Sequence, residues 1–423
     1  MKVLWLCNIM LPVIAEALGR GASNKEGWLS GLASRIMDTG KENNIQLGVC
    51  FPIAPNSEPI RGKVQDVCYF GFEENTAKAE IYDENLEKRL EAIVKEFEPD
   101  VIHCFGTEYP HTLAMTRVCK EKNRLLIGIQ GLCFKYADYY MADLPKKVQR
   151  RYLLRDFLKQ DNLAKQQQKY VMRGKFEIEA LKNTGNVTGR TDWDLQAVRE
   201  VNPNVKYHFM NETLRANFYG PVWDYQKCEK YSVFLSQGNY PIKGLHYVLQ
   251  AMPDILKKYP ETKVYVAGDI ITRYESVKEK IKIGSYGKYC RDLIKKNRLE
   301  EKVIFLGRLD SVQMCDRYLK SHLFLSPSAI ENSPNSVGEA MLLGMPVVSS
   351  RVGGVANMLT HGEEGILYPY QNVQKLTEAV CAVFEQGEKA AEYGERARKH
   401  ALSTHNPETN YRRLLEIYED LTT

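Results

Sequence analysis

The sequence predicts an α/β protein built from two doubly wound, Rossmann-like domains in tandem. Three observations lead there. The chain has 423 residues, too many for one ordinary domain and enough for two of about 200. Short β-branched and aromatic runs alternate with longer amphipathic stretches, the pattern of parallel sheets covered by helices on both faces. The alternation is interrupted near residues 201–211 by Asn202, Pro203 and Asn204, leaving one set of strands before the break and a second after it.

The elements follow in order. In the first half the strand-like runs are residues 3–7, 46–51, 101–105, 125–129 and 186–189. In the second they are 207–210, 232–236, 263–267, 303–306, 323–326 and 346–349. Helical periodicity marks residues 85–97, 245–259 and 373–384 between them. The domains expected are residues 1–208, joined by a C-terminal helix over 406–423, and residues 209–405. The terminal helix is expected to return to the first domain, because Tyr411, Leu414, Leu415, Tyr418 and Leu421 form one apolar stripe on a charged helix, and a stripe needs a partner. Two such domains face each other across a cleft at the carboxyl ends of their strands, where ligands bind.

Composition narrows the class. A hydrophobic content of 44% with 26% charged residues lets each half bury its own core without disulfides or structural metals. The ten cysteines contain no C-x-x-C pair and most sit in apolar runs, so they read as reduced core thiols in a reducing compartment, with no zinc site. The apolar opening VLWLCNIMLP is interrupted by Asn8, Pro12 and Glu16 and reads as a buried first strand, not a secretion signal. No apolar run is long enough to span a bilayer. A net charge of +5 is too modest to argue for nucleic acid, and the aromatic residues lack the stacking-platform pattern of nucleic-acid modules. The protein is expected in the cytoplasm.

The most informative segment is SPSAIENSPNSVGEAMLLGMPVVSS, residues 326–350, read as strand, loop, helix, strand. Ser336 or Asn335 is expected to cap the helix, leaving amides near Val337 and Gly338 without intrahelical partners as a phosphate site, with Gly338 allowing close approach. Glu331 lies in the loop and Glu339 in the first helical turn, seven residues between them. One carboxylate is thus expected to face each end of a ligand whose phosphates touch the helix.

This pattern resembles the E-x7-E signature of the retaining family-4 glycosyltransferases, which have the GT-B architecture. The resemblance extends over Val352-Gly353-Gly354-Val355 and Gly362-Glu363-Glu364-Gly365-Ile366-Leu367 downstream, and over Lys243-Gly244 and Val303-Ile304-Phe305-Leu306-Gly307-Arg308 upstream. It is strong from about residue 232 to 369 and weaker over the first 200. It implies that Glu339 accepts hydrogen bonds from the donor ribose and that Glu331 holds hydroxyls of the transferred sugar. Amides near Ser336 and Val337, with Lys243, would bind the diphosphate, and backbone around Leu306 to Arg308 would read the base. The family's glycine-rich loop falls at Ala17-Leu18-Gly19-Arg20-Gly21 and Glu26-Gly27-Trp28. Gly27 best fits the close-approach glycine, with Gly19 and Gly21 as alternatives.

The match departs from the family in two places. Gln130 stands where a histidine facing the reacting sugar is usual; it can position a group but cannot titrate. Gly238 stands where a diphosphate-binding arginine is usual, and either Arg308 or Arg20 is a substitute for its charge. Asp192-Trp193-Asp194 imitates a metal motif, but its place after Thr191 at a helix start reads as a cap. His103 reads as a satisfied histidine at a strand end.

The resemblance implies transfer of a hexose from a nucleotide-sugar to a saccharide or lipid-linked acceptor with retained configuration, in cell-surface polysaccharide synthesis. No cofactor or metal is expected. Alternatives are a phosphorylase or epimerase on the same architecture, or a non-catalytic sugar-nucleotide-binding protein. Residues 146–182 carry eleven basic residues against four acidic, with Tyr152, Leu153, Leu154, Phe157 and Leu158 interleaved. Two readings of this stretch stand equally: a basic amphipathic helix that meets an anionic membrane through 146–175, or a solvated helix with its apolar side in the core.

Overall fold

A computed structural model describes residues 1–20, 27–40 and 42–423. Two compact units emerge, Met1–Ala137 with Lys169–Leu214 and His405–Thr423, and Asp138–Gln168 with Arg215–Thr404.

Among its described residues the first unit holds eight strands: β1 (Lys2–Leu6), β2 (Gln46–Ile53), β3 (Ile60–Val64), β4 (Val67–Glu73), β5 (Val101–Phe105), β6 (Leu125–Gly128), β7 (Asn186–Gly189) and β8 (Lys206–Phe209). Their order is β3-β4-β2-β1-β5-β6-β7-β8. Every pairing is parallel except the β3–β4 hairpin at one edge. Period-two alternation in β1 explains why both faces are covered. Leu4 and Leu6 enter one cluster with Leu86, Leu90 and Phe97, while Val3 and Trp5 enter the opposite one with Leu414, Ile417 and Tyr418.

The helix Pro407–Thr422 supplies those last three residues. Its return to the first unit is held by a polar contact as well as by the stripe: Trp5 Nε1 donates to the Tyr418 hydroxyl at 2.8 Å, and His103 Nδ1 lies 2.9 Å from the same oxygen. Ile417 joins the fully buried set, while Leu415 is only partly buried. His103 is wholly buried and burial lowers its pKa to about 3, so its imidazole is neutral.

The second unit holds β9 (Glu229–Leu235), β10 (Lys263–Ala267), β11 (Val303–Gly307), β12 (Ser321–Ser326), β13 (Val347–Ser350) and β14 (Ile366–Tyr368), all parallel, in the order β11-β10-β9-β12-β13-β14. The order reverses at β9, whose neighbours are β10 and β12. The switch point of this sheet therefore lies at the carboxyl ends of β9 and β12. The fold class is the α/β one expected, with two doubly wound parallel-sheet units.

Three local expectations change. The run at 207–210 belongs to the first sheet, not the second: β8 extends that sheet by pairing with β7, and the first unit continues to Leu214. Residues 138–168 leave the first half and pack on the second unit. The physical reason is a set of polar contacts to the helix Leu245–Lys258 and beyond. His246 Nε2 and the Tyr247 hydroxyl donate to the Ala142 carbonyl at 2.9 and 2.8 Å, and the Tyr370 hydroxyl donates to Asp143 at 2.7 Å. Nor is the basic stretch one helix. It is broken into Lys146–Gln149, Leu154–Lys159 and Leu163–Lys182, with Gln160 in the left-handed conformation ending the second.

Candidate functional site

The E-x7-E segment leaves β12, loops over residues 327–334 and enters the helix Asn335–Leu343. Backbone geometry holds the loop on two sides. At Gly244, with φ of +70°, an added Cβ would stand 1.9 Å from the Pro327 carbonyl oxygen, and Ala329 N–H donates to Ile242 at 2.7 Å. At Gly353, with φ of +50°, a Cβ would stand 1.8 Å from the Glu331 carbonyl oxygen, and Gly354 N–H donates to that oxygen at 3.1 Å. Both glycines are thus required by close approach. They bring the start of the helix after β9 and the turn after β13 against the Glu331 loop.

Within this frame Lys243 Nζ donates to Glu331 Oε1 at 2.5 Å, and Ser328 Oγ donates to the same oxygen at 2.7 Å. Glu331 is buried, yet both contacts fall on one of its oxygens.

The helix start differs from the expectation. Pro334 is the N-cap, and neither Asn335 nor Ser336 caps with its side chain. Val337 and Gly338 N–H groups already donate to the Pro334 carbonyl, at 2.9 and 3.3 Å. With the Pro334 carbonyl taking those two amides, the open ones lie two positions earlier, at Asn335 and Ser336, which have no acceptor among the described residues. Unpaired amides at a helix start are the kind of donor that can meet an anion.

Glu339 lies in the next turn and is buried. Arg215 grips it with two parallel bonds, Nε to Oε1 and Nη2 to Oε2, each 2.6 Å. Burial pushes the Glu339 carboxyl above the ordinary carboxylate range, and the Arg215 guanidinium opposes that shift. Arg215 is the site residue the sequence pattern missed. It lies in the connection after β8, outside every motif block, and only the fold brings it to the helix.

Other expected residues are placed elsewhere. Arg308 follows the edge strand β11, is exposed, and pairs with Asp269 through Nε at 2.6 Å; among the described residues no contact joins it to Glu331 or Glu339. Leu306 is half-buried in β11. At Gly238 an added Cβ would meet the Val266 side chain at 2.9 Å and the Leu245 side chain at 3.1 Å, so a larger residue there would require both to shift. Gly27 opens the helix Gly27–Thr39 in the first unit, while Gly21 and Glu26 lie outside the described residues.

Gln130 follows β6 in the first unit. Its Nε2 donates to Glu212 Oε1 at 2.7 Å, and Glu212 forms a buried ion pair with Arg190. The amide is therefore held from behind by a carboxylate. At the switch point of this sheet, Glu108 accepts from Gly131 N–H at 3.3 Å and from Asn8 Nδ2 at 3.4 Å. His111 lies between Asn8 Oδ1 at 2.9 Å and Glu74 at 2.5 Å. No short motif announces this group, since its members come from the ends of β1, β4 and β5.

Asp192-Trp193-Asp194 opens the helix Asp192–Val201, and Thr191 caps it by accepting from Asp194 N–H at 3.1 Å. The Asp194 carboxylate accepts from Arg190 N–H at 3.1 Å and from the Tyr207 hydroxyl at 2.5 Å. Among the described residues no group of three metal-ligating side chains is assembled.

Two doubly wound, parallel-sheet units are the fold of GT-B glycosyltransferases. Sucrose-phosphate synthase from Thermosynechococcus elongatus has this fold, with a TM-score of 0.71 and 16% identity over 100% of this chain and 99% of that one. Anabaena HepE in complex with UDP-glucose is similar too, with a TM-score of 0.65 and 16% identity over 98% of each chain. In sequence, residues 223–400 match the family described as glycosyl transferases group 1. An uncharacterized glycosyltransferase of Methanocaldococcus jannaschii is 31% identical over 145 residues, 34% of this chain and 33% of the relative. The chain matches between a third and a half of the length of such curated relatives, from 33% to 46%.

Proposed function

We propose that the protein is a glycosyltransferase that moves a hexose from a nucleotide-sugar to a saccharide or lipid-linked saccharide, with retention of configuration and without a metal, in polysaccharide biosynthesis. The observation that carries this reading is the convergence of Lys243, Glu331 and the open Asn335 and Ser336 amides on one loop at the switch point of the second sheet. That set combines a cation and helix dipole for a diphosphate with a carboxylate for sugar hydroxyls. The group 1 match over 223–400 and the likeness to a fold solved with UDP-glucose support the same donor class.

The chemistry follows from where charge develops. As the bond from the anomeric carbon to the diphosphate oxygen breaks, negative charge grows on the diphosphate. The acceptor hydroxyl attacks from the same face, and the departing diphosphate takes its proton. Lys243 and the two amides stabilise the leaving group; losing one such donor costs about 2.7–4 kcal/mol of barrier in comparable anion holes. Glu331 orients the sugar while Lys243 and Ser328 hold its other oxygen. Glu339 accepts from the ribose, sharing its oxygens with Arg215 or exchanging them. Gln130 positions a donor group, its amide fixed by Glu212. Leu306 to Arg308 offer backbone to the base, and Gly27 keeps its side clear.

In this reading the protein works in the cytoplasm, peripheral to the inner face of a membrane that bears the acceptor. Among the described residues no helix is long and apolar enough to cross one. A thermal-shift screen of UDP, GDP, ADP and their sugars, followed by transfer assays with the best binder, tests the proposal. Binding of a nucleotide-sugar with neither transfer nor hydrolysis would favour a non-catalytic binding protein instead.

A further inference from the structure

The segments 138–168 and 270–284, both in the second unit, build a surface beside the turn that carries Lys243. The helices Leu154–Lys159 and Val277–Lys282 pack against each other. Large apolar side chains stand exposed on and beside them, among exposed lysines: Leu158 is 63% exposed, Phe157 60% and Val277 71%, with Leu154, Tyr152 and Ile281 also open to solvent. Large apolar side chains left exposed on two helices that touch each other are candidates for a contact surface. In the basic stretch the apolar side chains point outward only around residues 152–158, while Val148, Leu163, Ala180 and Leu181 are buried.

Charge identifies the partner. An open cavity of about 560 Å³ lies between these elements, and its charged lining is Arg155, Arg273, Lys278 and Lys282 against Asp156 and Glu279. Both acids are already engaged in the fold. Asp156 is buried and accepts from Leu153 N–H at 2.9 Å and Ser285 Oγ at 3.0 Å. Glu279 accepts from the N–H groups of Glu275 and Ser276 at 2.9 and 3.0 Å, closing a capping box. Arg155 is engaged too, paired with Asp156 and Asp161, which leaves Arg273, Lys278 and Lys282 as the cations of the lining, beside the exposed apolar side chains. Lys146, Lys147 and Lys159 lie on the helices Lys146–Gln149 and Leu154–Lys159 of the same segment, and none of the three forms an ion pair among the described residues. Apolar side chains for the acyl boundary together with a basic surround for phosphate are the two signals that reversible attachment to an anionic bilayer requires.

We propose that the helices Leu154–Lys159 and Val277–Lys282 are the docking face of the second unit for an anionic phospholipid membrane, with the cavity between them taking a lipid phosphate headgroup. This deepens the reading above, since it rests on an acceptor carried by a membrane. It assigns the contact to the unit that holds the Glu331 and Glu339 site.

Co-sedimentation of the full chain with phosphatidylcholine vesicles, with and without phosphatidylglycerol, tests it. Binding is expected only to the vesicles that contain phosphatidylglycerol and is expected to fall with salt. Phe157→Ser combined with Leu158→Ser should lower the partition coefficient at least about tenfold, and Lys278→Glu with Lys282→Glu by a similar factor. All four residues are on the surface, so melting temperature and nucleotide binding should stay at wild-type values and report folding independently. The proposal is overturned if wild type ignores anionic vesicles or binds neutral ones as well. It is also overturned if the variants bind like wild type, or if the wild type is a dimer that Phe157→Ser and Leu158→Ser dissolve, since a second copy then covers the face. Loss of vesicle binding with retained transfer to a soluble acceptor supports the docking face. Absence of transfer to any acceptor, with vesicle binding intact, instead removes the glycosyltransferase reading alone.

Discussion

Arg215 holds Glu339 by two parallel bonds of 2.6 Å, so the carboxylate that the proposed reaction assigns to the ribose is already paired inside the second unit. Ribose hydroxyls must share or displace that guanidinium. Glu339→Gln should weaken nucleoside diphosphate binding at least about tenfold, because the buried amide accepts through one oxygen only and leaves Arg215 incompletely paired. The same loss should lower thermal stability. Calorimetry with the free nucleotide reads the first effect, and wild-type affinity in the variant would remove the ribose role.

Lys243 and Glu331 should separate binding from chemistry. Lys243→Met removes a cation beside the diphosphate and should lower kcat by about 10² to 10³. Glu331→Ala should lower transfer far more than nucleotide affinity, since its proposed contact is with the sugar. Equal losses in nucleotide affinity and in kcat/KM for Glu331→Ala would mean that it serves the nucleotide instead.

Tyr418→Phe tests the return of the terminal helix. The change leaves Trp5 Nε1 and His103 Nδ1 without their shared partner in a fully buried place. It should cost about 1–3 kcal/mol per stranded group in denaturant unfolding. A variant as stable as wild type would show that the contact does not hold the helix.

Glu177 sets a pH dependence in the first unit. It is wholly buried, accepts from Phe134 N–H at 2.9 Å and from the Thr107 hydroxyl, and burial pushes its pKa up to about 8. A raised folded value means that the folded state keeps a proton the unfolded state has released. The stabilisation is complete below the ordinary value of 4.5 and is lost as pH rises through about 8. The slope is at most about 1.4 kcal/mol per pH unit. Glu177→Gln should flatten the fall in unfolding free energy between these limits. A variant with the wild-type slope would assign the dependence to another group.

Transfer should survive exhaustive chelation with EDTA, because the proposed chemistry stabilises the diphosphate through Lys243 and helix amides. Asp194 meanwhile spends its carboxylate on Arg190 N–H and the Tyr207 hydroxyl. Loss of activity with EDTA and rescue by manganese would return Asp192 and Asp194 to the site.

The sequence by itself determined the class of fold and the loop that carries Glu331 and Glu339. Both are local properties. Strand and helix periods are written in consecutive residues, and a loop followed by a helix places two carboxylates by spacing alone. The apolar stripe on the last helix was legible for the same reason, although its true seam runs through Ile417 in preference to Leu415. Tertiary structure decided whatever depends on distant partners. Arg215 reaches Glu339 across 124 residues of chain, a pairing no spacing records. Residues 138–168 join the second unit because Ala142 and Asp143 meet His246, Tyr247 and Tyr370, although the neighbouring sequence on both sides folds with the first. Pro334 shifted the open amides to Asn335 and Ser336, since its carbonyl was free to accept from Val337 and Gly338. Phe157 and Leu158 read as one side of an amphipathic helix in either setting. Whether that side faces a core or the solvent depends on which surface the helix packs against, and only the folded chain supplies that surface.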